Sequence, residues 1–105
     1  MKTIGIDVGG SKIRAVRWNP SPFTKGEGRV EKLAVAKTPG STAALTRTLR
    51  RIIGKLEDGK RLKVGAGFAG TVKGGIVIHS ANNRFLKNYN PARALGRPLG
   101  VDNDA

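Results

Sequence analysis

The sequence contains no cysteine among its 105 residues. A disulfide framework, a cysteine-based zinc site and a thiol nucleophile are therefore excluded within these residues, and the composition suits a reducing compartment. Histidine occurs once, at His79, so no second histidine exists to build a metal site, and a structural or exposed role is expected for it. Aromatic residues make up only 5% of the chain, and Trp18, Phe68, Phe85 and Tyr89 are too scattered to form a platform for stacked bases. No apolar run approaches the roughly 18 residues that a membrane span requires. The early carboxylate of Asp7 also argues against a secretory signal. A soluble, cytoplasmic chain with no membrane partner is expected. Acidic residues are scarce too: seven Asp and Glu face twenty Lys and Arg, a net charge of +13 that favours acidic or phosphorylated partners. The length has room for one domain, residues 1–105, with a modest core.

What is present reads as a mixed α/β domain. Thr3 to Val8 and Lys12 to Trp18 are two β-rich runs across Gly9-Gly10. Asn19 to Gly28, with two prolines, suits a loop, and Arg29 to Lys37 resumes as a third strand. From Ser41 to Asp58 the residues Leu45, Leu49, Ile52, Ile53 and Leu56 form one helical stripe, which Gly59 is placed to end. Arg47, Arg50, Arg51 and Lys55 occupy its other faces. Lys63 to Phe68 and Ile76 to Ile78 read as short strands inside the sheet, separated by a glycine-rich reversal. Ser80 to Asn90 is polar, Pro91 to Leu95 suits a helical turn, and Pro98 to Val101 a last short strand.

Three segments carry possible chemistry. In Asp7-Val8-Gly9-Gly10-Ser11-Lys12, a carboxylate at a strand end precedes two residues without side chains, a hydroxyl and a cation. Glycines let a backbone approach a phosphate closely, and the carboxylate suits a hydrated Mg²⁺; a plain hairpin needing glycine for positive φ is the competing reading. Gly65 to Gly70 matches G-x-G-x-x-G. Thr71 to Ile78 cannot readily open the helix that a dinucleotide site requires, so a tight loop approached by a ligand or another backbone is the better reading. Asp102-Asn103-Asp104 offers a general base for a hydroxyl and an amide to orient it, or simply a solvated acidic end.

Together these segments resemble the N-terminal domain of the ROK family of sugar kinases, within the actin-like, Hsp70-like and hexokinase-like ATPase superfamily. Ile4 to Ala15 resembles the family's D-x-G-G-T-K phosphate motif, with Ser11 for Thr. Val64 to Val72 resembles V-G-x-G-x-P-G-x-V, Ser80 to Asn83 the A-P-N loop, and Val101 to Ala105 the E-N-D-A segment. The resemblance implies a ribonuclease H-like mixed sheet with one main helix, half of an actin-like ATPase fold. By that resemblance Asp7 acts near Mg²⁺ through water, and Gly9, Gly10, Ser11 and Lys12 line the ATP phosphates. Asp104 is the general base, Asn103 binds the hexose, and Gly70 and Asn83 belong to the sugar pocket wall. Ala69 stands where the family has Pro, and Lys73 where it often has Asp.

In the family a second lobe carries another phosphate motif, the adenosine pocket, further sugar contacts and a Cys/His zinc site, none of which lies in this sequence. No helix-turn-helix precedes the phosphate motif, so a repressor of this family is not expected. The expectation is a truncated kinase half, inactive alone, that associates as a homodimer or with a complementary C-terminal lobe. The alternatives are a stand-alone dimeric scaffold, or a basic module in which the cationic helix face binds nucleic acid or another polyanion.

Overall fold

The computed structural model describes residues 1–103. The expected general base, Asp104, lies outside the described residues, as does Ala105. Along the chain run β1 (Thr3–Val8), β2 (Lys12–Pro20), β3 (Gly28–Lys37), α1 (Thr42–Glu57), β4 (Lys63–Phe68), β5 (Thr71–Lys73), β6 (Ile76–His79), β7 (Lys87–Tyr89), α2 (Pro91–Leu95) and β8 (Gly100–Asn103). The main sheet has the order β3-β2-β1-β4-β8. The β1–β2 and β2–β3 pairs are antiparallel, whereas β1–β4 and β4–β8 are parallel.

Alternation along the strands decides which side is the core. Ile4, Ile6 and Val8 of β1, Ile13 and Ala15 of β2, and Val64, Ala66 and Phe68 of β4 are buried together with the stripe Leu45, Leu49, Ile52, Ile53 and Leu56 of α1. Fully burying an aliphatic side chain of this size contributes roughly 1.5–3 kcal/mol, so this helix-to-sheet layer is the main source of stability. The Ser41 side chain caps α1 by accepting from the Ala44 N–H at 3.2 Å. Its far end closes one residue earlier than the glycine at 59 suggests, because Asp58 itself adopts the left-handed conformation at φ 54° and donates its N–H to the Gly54 carbonyl.

Three sequence expectations are corrected. The strand containing Ile76 to Ile78 does not enter the main sheet; it pairs with β5 and β7 in a separate three-stranded sheet. Gly74 and Gly75, with φ of 59° and 77°, form a two-residue hairpin turn that returns β6 onto β5. Within the polar segment 80–90, β7 escapes the pattern because only Tyr89 of its three residues is buried. The final strand begins at Gly100, where it pairs with Gly65, rather than at Pro98, whose missing N–H cannot join a ladder.

An ion pair fastens the base of this layer. Arg97 donates to both carboxylate oxygens of Glu57 at 2.9 and 2.8 Å and to the Leu62 carbonyl at 2.8 Å. Glu57 also accepts the Leu62 N–H at 2.7 Å. The two side chains are only 13% and 14% exposed. The Arg97 hydrogen bonds, followed by the Leu62 N–H, hold the Glu57 carboxyl below its ordinary range; Lys2 does the same for Glu31 and Lys32 for Asp58. A carboxyl whose folded pKa is depressed stabilises the fold above its unfolded value, near ~4.3 for Glu, and loses that contribution as pH falls through the folded value. Thermal melting is therefore expected to be level from pH 8 to about pH 5 and to fall steadily below about pH 4. Glu57→Gln should lower stability at neutral pH by about 2 kcal/mol and flatten the acid slope. A wild-type melting temperature that does not change down to pH 3 would contradict this.

Candidate functional site

Because β1, β4 and β8 run parallel, their carboxyl ends open on the same edge of the sheet, where ligands of open α/β sheets bind. The register places Arg14, Asp7, Gly67 and Asp102 in one row across β2, β1, β4 and β8. This row lies on the face opposite α1, since the alternate residues Ile6 and Ala66 are buried in the helix-side core. Asp7 and Asp102 are both exposed on that surface, two strand spacings or about 10 Å apart. An open hollow of about 870 Å³ is lined there by Asp7, Arg14, Gly67, Asp102 and Asn103.

The loop from β1 to β2 is held from several sides. The Gly9 N–H donates to the Lys12 carbonyl at 3.0 Å, and the Gly9 carbonyl accepts from the Thr38 hydroxyl at 2.9 Å and the Asn83 side-chain amide at 3.2 Å. The Thr38 N–H donates to the Ser11 carbonyl at 3.0 Å. Neither Gly9 nor Gly10 has a positive φ. β1 and β2 do form a hairpin here, but its glycines are required by close approach and not by positive φ: a Cβ on Gly9 would sit 3.0 Å from the Lys12 carbonyl oxygen, and one on Gly10 would sit 3.0 Å from Asn82 Cβ. Ser11 and Lys12 remain exposed at the tip.

Gly70 occupies the turn between β4 and β5 at φ 142°, and a Cβ there would run into the His79 carbonyl oxygen. Its own carbonyl accepts from the Asn103 side-chain amide. Thus the loop after β4 is pinned between the end of β6 and the end of β8. Ser80 and Asn83 are buried, and the Asn83 N–H donates to Ser80 Oγ at 3.3 Å. Of the residues expected from the sequence, Asp7, Gly9, Gly10, Ser11, Lys12, Gly70, Asn83 and Asn103 all gather along this edge. Asn83 and Asn103 hold backbone carbonyls of the two loops, a role that motif reading did not anticipate. Thr38, Ser80 and Arg14 were missed as part of the site; for Arg14, its alternation with Lys12 on one face of β2 was the available signal. Segment 65–70 is not followed by the helix of a dinucleotide fold, as its sequence suggested, but by the short strand β5, which the sequence did not indicate. His79 is exposed.

Among the described residues no three His, Asp or Glu side chains cluster in a way that would hold a metal ion by themselves. None of the helices among the described residues is long and apolar enough to cross a membrane.

No family profile matches the chain, and no curated protein is similar to it in sequence. The likeness lies in solved structures. The whole chain superposes on a ROK family glucokinase from Streptomyces griseus, solved in complex with glucose and AMPPNP, with a TM-score of 0.83 and 25% identity. It also superposes over its whole length on a ROK hexokinase from Thermus thermophilus, with a TM-score of 0.80 and 25% identity. A ROK family protein from Streptococcus pneumoniae TIGR4, solved in complex with sucrose, agrees in fold with a TM-score of 0.78 and 20% identity. The chain spans 34%, 36% and 35% of these three, about a third of the structures that it matches. With its mixed sheet, its single main helix and the motif loops gathered at one edge, the chain has the fold of the N-terminal lobe of the ROK family of sugar kinases, part of the actin-like ATPase architecture.

Proposed function

We propose that these residues are the phosphate- and sugar-side lobe of an ATP-dependent sugar kinase, which transfers a phosphoryl group to a hexose hydroxyl once a second lobe completes the cleft. The observation that carries this reading is the convergence of the β1–β2 loop, Gly70, Asn83 and Asn103 on the edge where three parallel strands end. The glucose and AMPPNP of the Streptomyces griseus structure support the substrate classes.

The residues present fit a magnesium nucleotide better than a protein-only metal cage. Mg²⁺ takes one or two carboxylates together with phosphate oxygens and water, and the tip of β1 offers the Asp7 carboxylate beside an exposed hydroxyl and an exposed ammonium group. When bound, Mg²⁺–ATP supplies the phosphoryl group and neutralises its charge. Gly9 and Gly10 keep the loop close to the sheet, and Ser11 and Lys12 line the phosphates. Asn103 orients the sugar, while Gly70 and Asn83 hold the loops that form its wall. Asp104 takes the proton of the attacking hydroxyl. Most of the rate comes from holding the two reactants in line and excluding water. A single lobe lacks that closure, so it binds nucleotide weakly and does not turn over. ATP as donor places the reaction in the cytoplasm. Either a complementary chain or a second copy could complete the cleft. Two copies would each bring a net charge of +13 to the contact, which favours the complementary chain.

The test is a chimaera in which these 105 residues replace the matching part of the Thermus thermophilus hexokinase. It is expected to phosphorylate a hexose from ATP, and Asp104→Asn in it to lower kcat at least about a hundredfold with sugar binding retained. A folded chimaera that binds both ligands and transfers nothing would end this reading.

A further inference from the structure

A second hollow lies beside α1, between its first turns and the segment that joins the small sheet to α2. It is an open groove of about 480 Å³, within the range of roughly 300–1,000 Å³ typical of small-molecule sites. It shares no lining residue with the hollow that holds Asp7 and Asp102. Thr42 and Thr46 of α1 form one wall, Lys87, Asn88 and Tyr89 of β7 another, and Arg93 of α2 closes it. Tyr89 is only 7% exposed, and its hydroxyl meets that of Thr46 at 2.7 Å. Two hydroxyls that share one hydrogen bond use one of their two protons, so the other has no acceptor among the described residues. Burial pushes the Tyr89 phenol above its ordinary range, so it keeps its proton at neutral pH even with the Arg50 charge nearby.

The surroundings of this groove are free of acid. Residues 32–56 and 59–101, which supply all of its walls, contain no Asp or Glu. The one carboxylate on α1, that of Glu57, lies about 16 Å from Thr46 along the helix axis and is taken up by Arg97. Lys87 and Arg93 are exposed, and neither makes an ion pair among the described residues. Arg50, which donates to the Ala94 carbonyl at 3.1 Å, adds a third positive charge beside them. Like charges gathered in this way repel unless an anion stands between them. A phosphate ester, with a charge of about −1.5 to −2 and three acceptor oxygens, matches two cations and a spare hydroxyl proton. The groove is larger than one phosphate group, and Thr42 and the Asn88 amide can bond to hydroxyls. We propose that it binds a small phosphorylated sugar, with the phosphate between Lys87 and Arg93 over the Thr46–Tyr89 hydroxyl pair and the sugar hydroxyls toward Thr42 and Asn88. This does not depend on the kinase reading.

The probe is ribose 5-phosphate, with ribose and inorganic phosphate as controls, titrated into the 105-residue chain at low salt by calorimetry and by amide NMR. Ribose 5-phosphate is expected to bind about threefold or more tightly than phosphate, and ribose to give no heat, with the largest amide shifts at residues 87–89 and in the first turn of α1. Lys87→Ala/Arg93→Ala should weaken binding about tenfold or more with the melting temperature unchanged, since both side chains are exposed. Arg51→Ala/Lys55→Ala removes the same charge further along α1 and should change it less than about twofold. Tyr89→Phe keeps the net charge and the ring against Phe68, and should weaken binding about threefold or more. Equal losses in the two charge variants would reduce the effect to overall charge and overturn the proposal. So would phosphate binding as tightly as ribose 5-phosphate, full affinity in Tyr89→Phe, amide shifts confined to Ser11, Lys12 and their sheet edge, or no binding at about 10 mM.

Discussion

Replacing Gly70 by alanine is expected to cost on the order of 4 kcal/mol, more than a domain of this size can easily absorb. Two effects add at this one position. At φ 142° the backbone lies in a region that side-chain-bearing residues rarely adopt, and the new Cβ would collide with the His79 carbonyl oxygen, a backbone atom that cannot swing aside. Relief requires β6 to move away from the end of β4. That movement also disturbs Ser80 and hence Asn83, whose side chain holds the Gly9 carbonyl. The melting temperature should fall by roughly 15–30 °C, and whatever nucleotide affinity the loop has should go with it. Gly40→Ala is the control: its φ is not positive and no atom lies within 4 Å of the added Cβ, so the melting temperature should move by no more than a few degrees. Equal behaviour of the two variants would show that the collision does not govern stability.

Phe68→Ala should cost about 3–5 kcal/mol. Phe68 is the largest fully buried side chain, ends β4 and packs edge-on against Tyr89 of β7 at 6.3 Å between ring centres. It therefore joins the two sheets: Val8 is its neighbour in the main sheet, and Tyr89 in the smaller one is tied through its hydroxyl to Thr46 of α1 at 2.7 Å. Truncation leaves a cavity at this junction. Hydrogen exchange should then show β5, β6 and β7 losing protection ahead of β1 and β4, with the denaturation midpoint lowered. Loss of less than 1 kcal/mol, with protection unchanged in β7, would mean that the small sheet does not depend on this ring.

The helix α1 was legible because its five apolar residues recur with helical spacing and Ser41 precedes them, both local signals. Strands β1 to β4 were legible for the same reason, with bounds within two residues of those observed. Strands β5 and β7 were not, because three residues are too few to display alternation and each is stabilised by its neighbours in space. The glycines of the first loop were read as a phosphate cradle or a turn needing positive φ; the turn is there, but it requires them for close packing against Lys12 and Asn82 and not for positive φ. Asn83 and Asn103 were picked out through their motifs, but their hydrogen bonds to Gly9 and Gly70 join parts of the chain 74 and 33 residues apart. No local pattern encodes such pairs.

By itself, the sequence determined strands β1 to β4 and helix α1, which side of α1 is apolar, the strong positive charge and the order of the family-like motifs. All of these depend on neighbours within a few residues. Only the tertiary structure decided that Asp7 and Asp102 share a surface and that β5, β6 and β7 form a second sheet separate from the first. Those facts follow from strand register and from parallel pairing across long intervals of chain, where a shift of a single residue would turn every side chain to the opposite face.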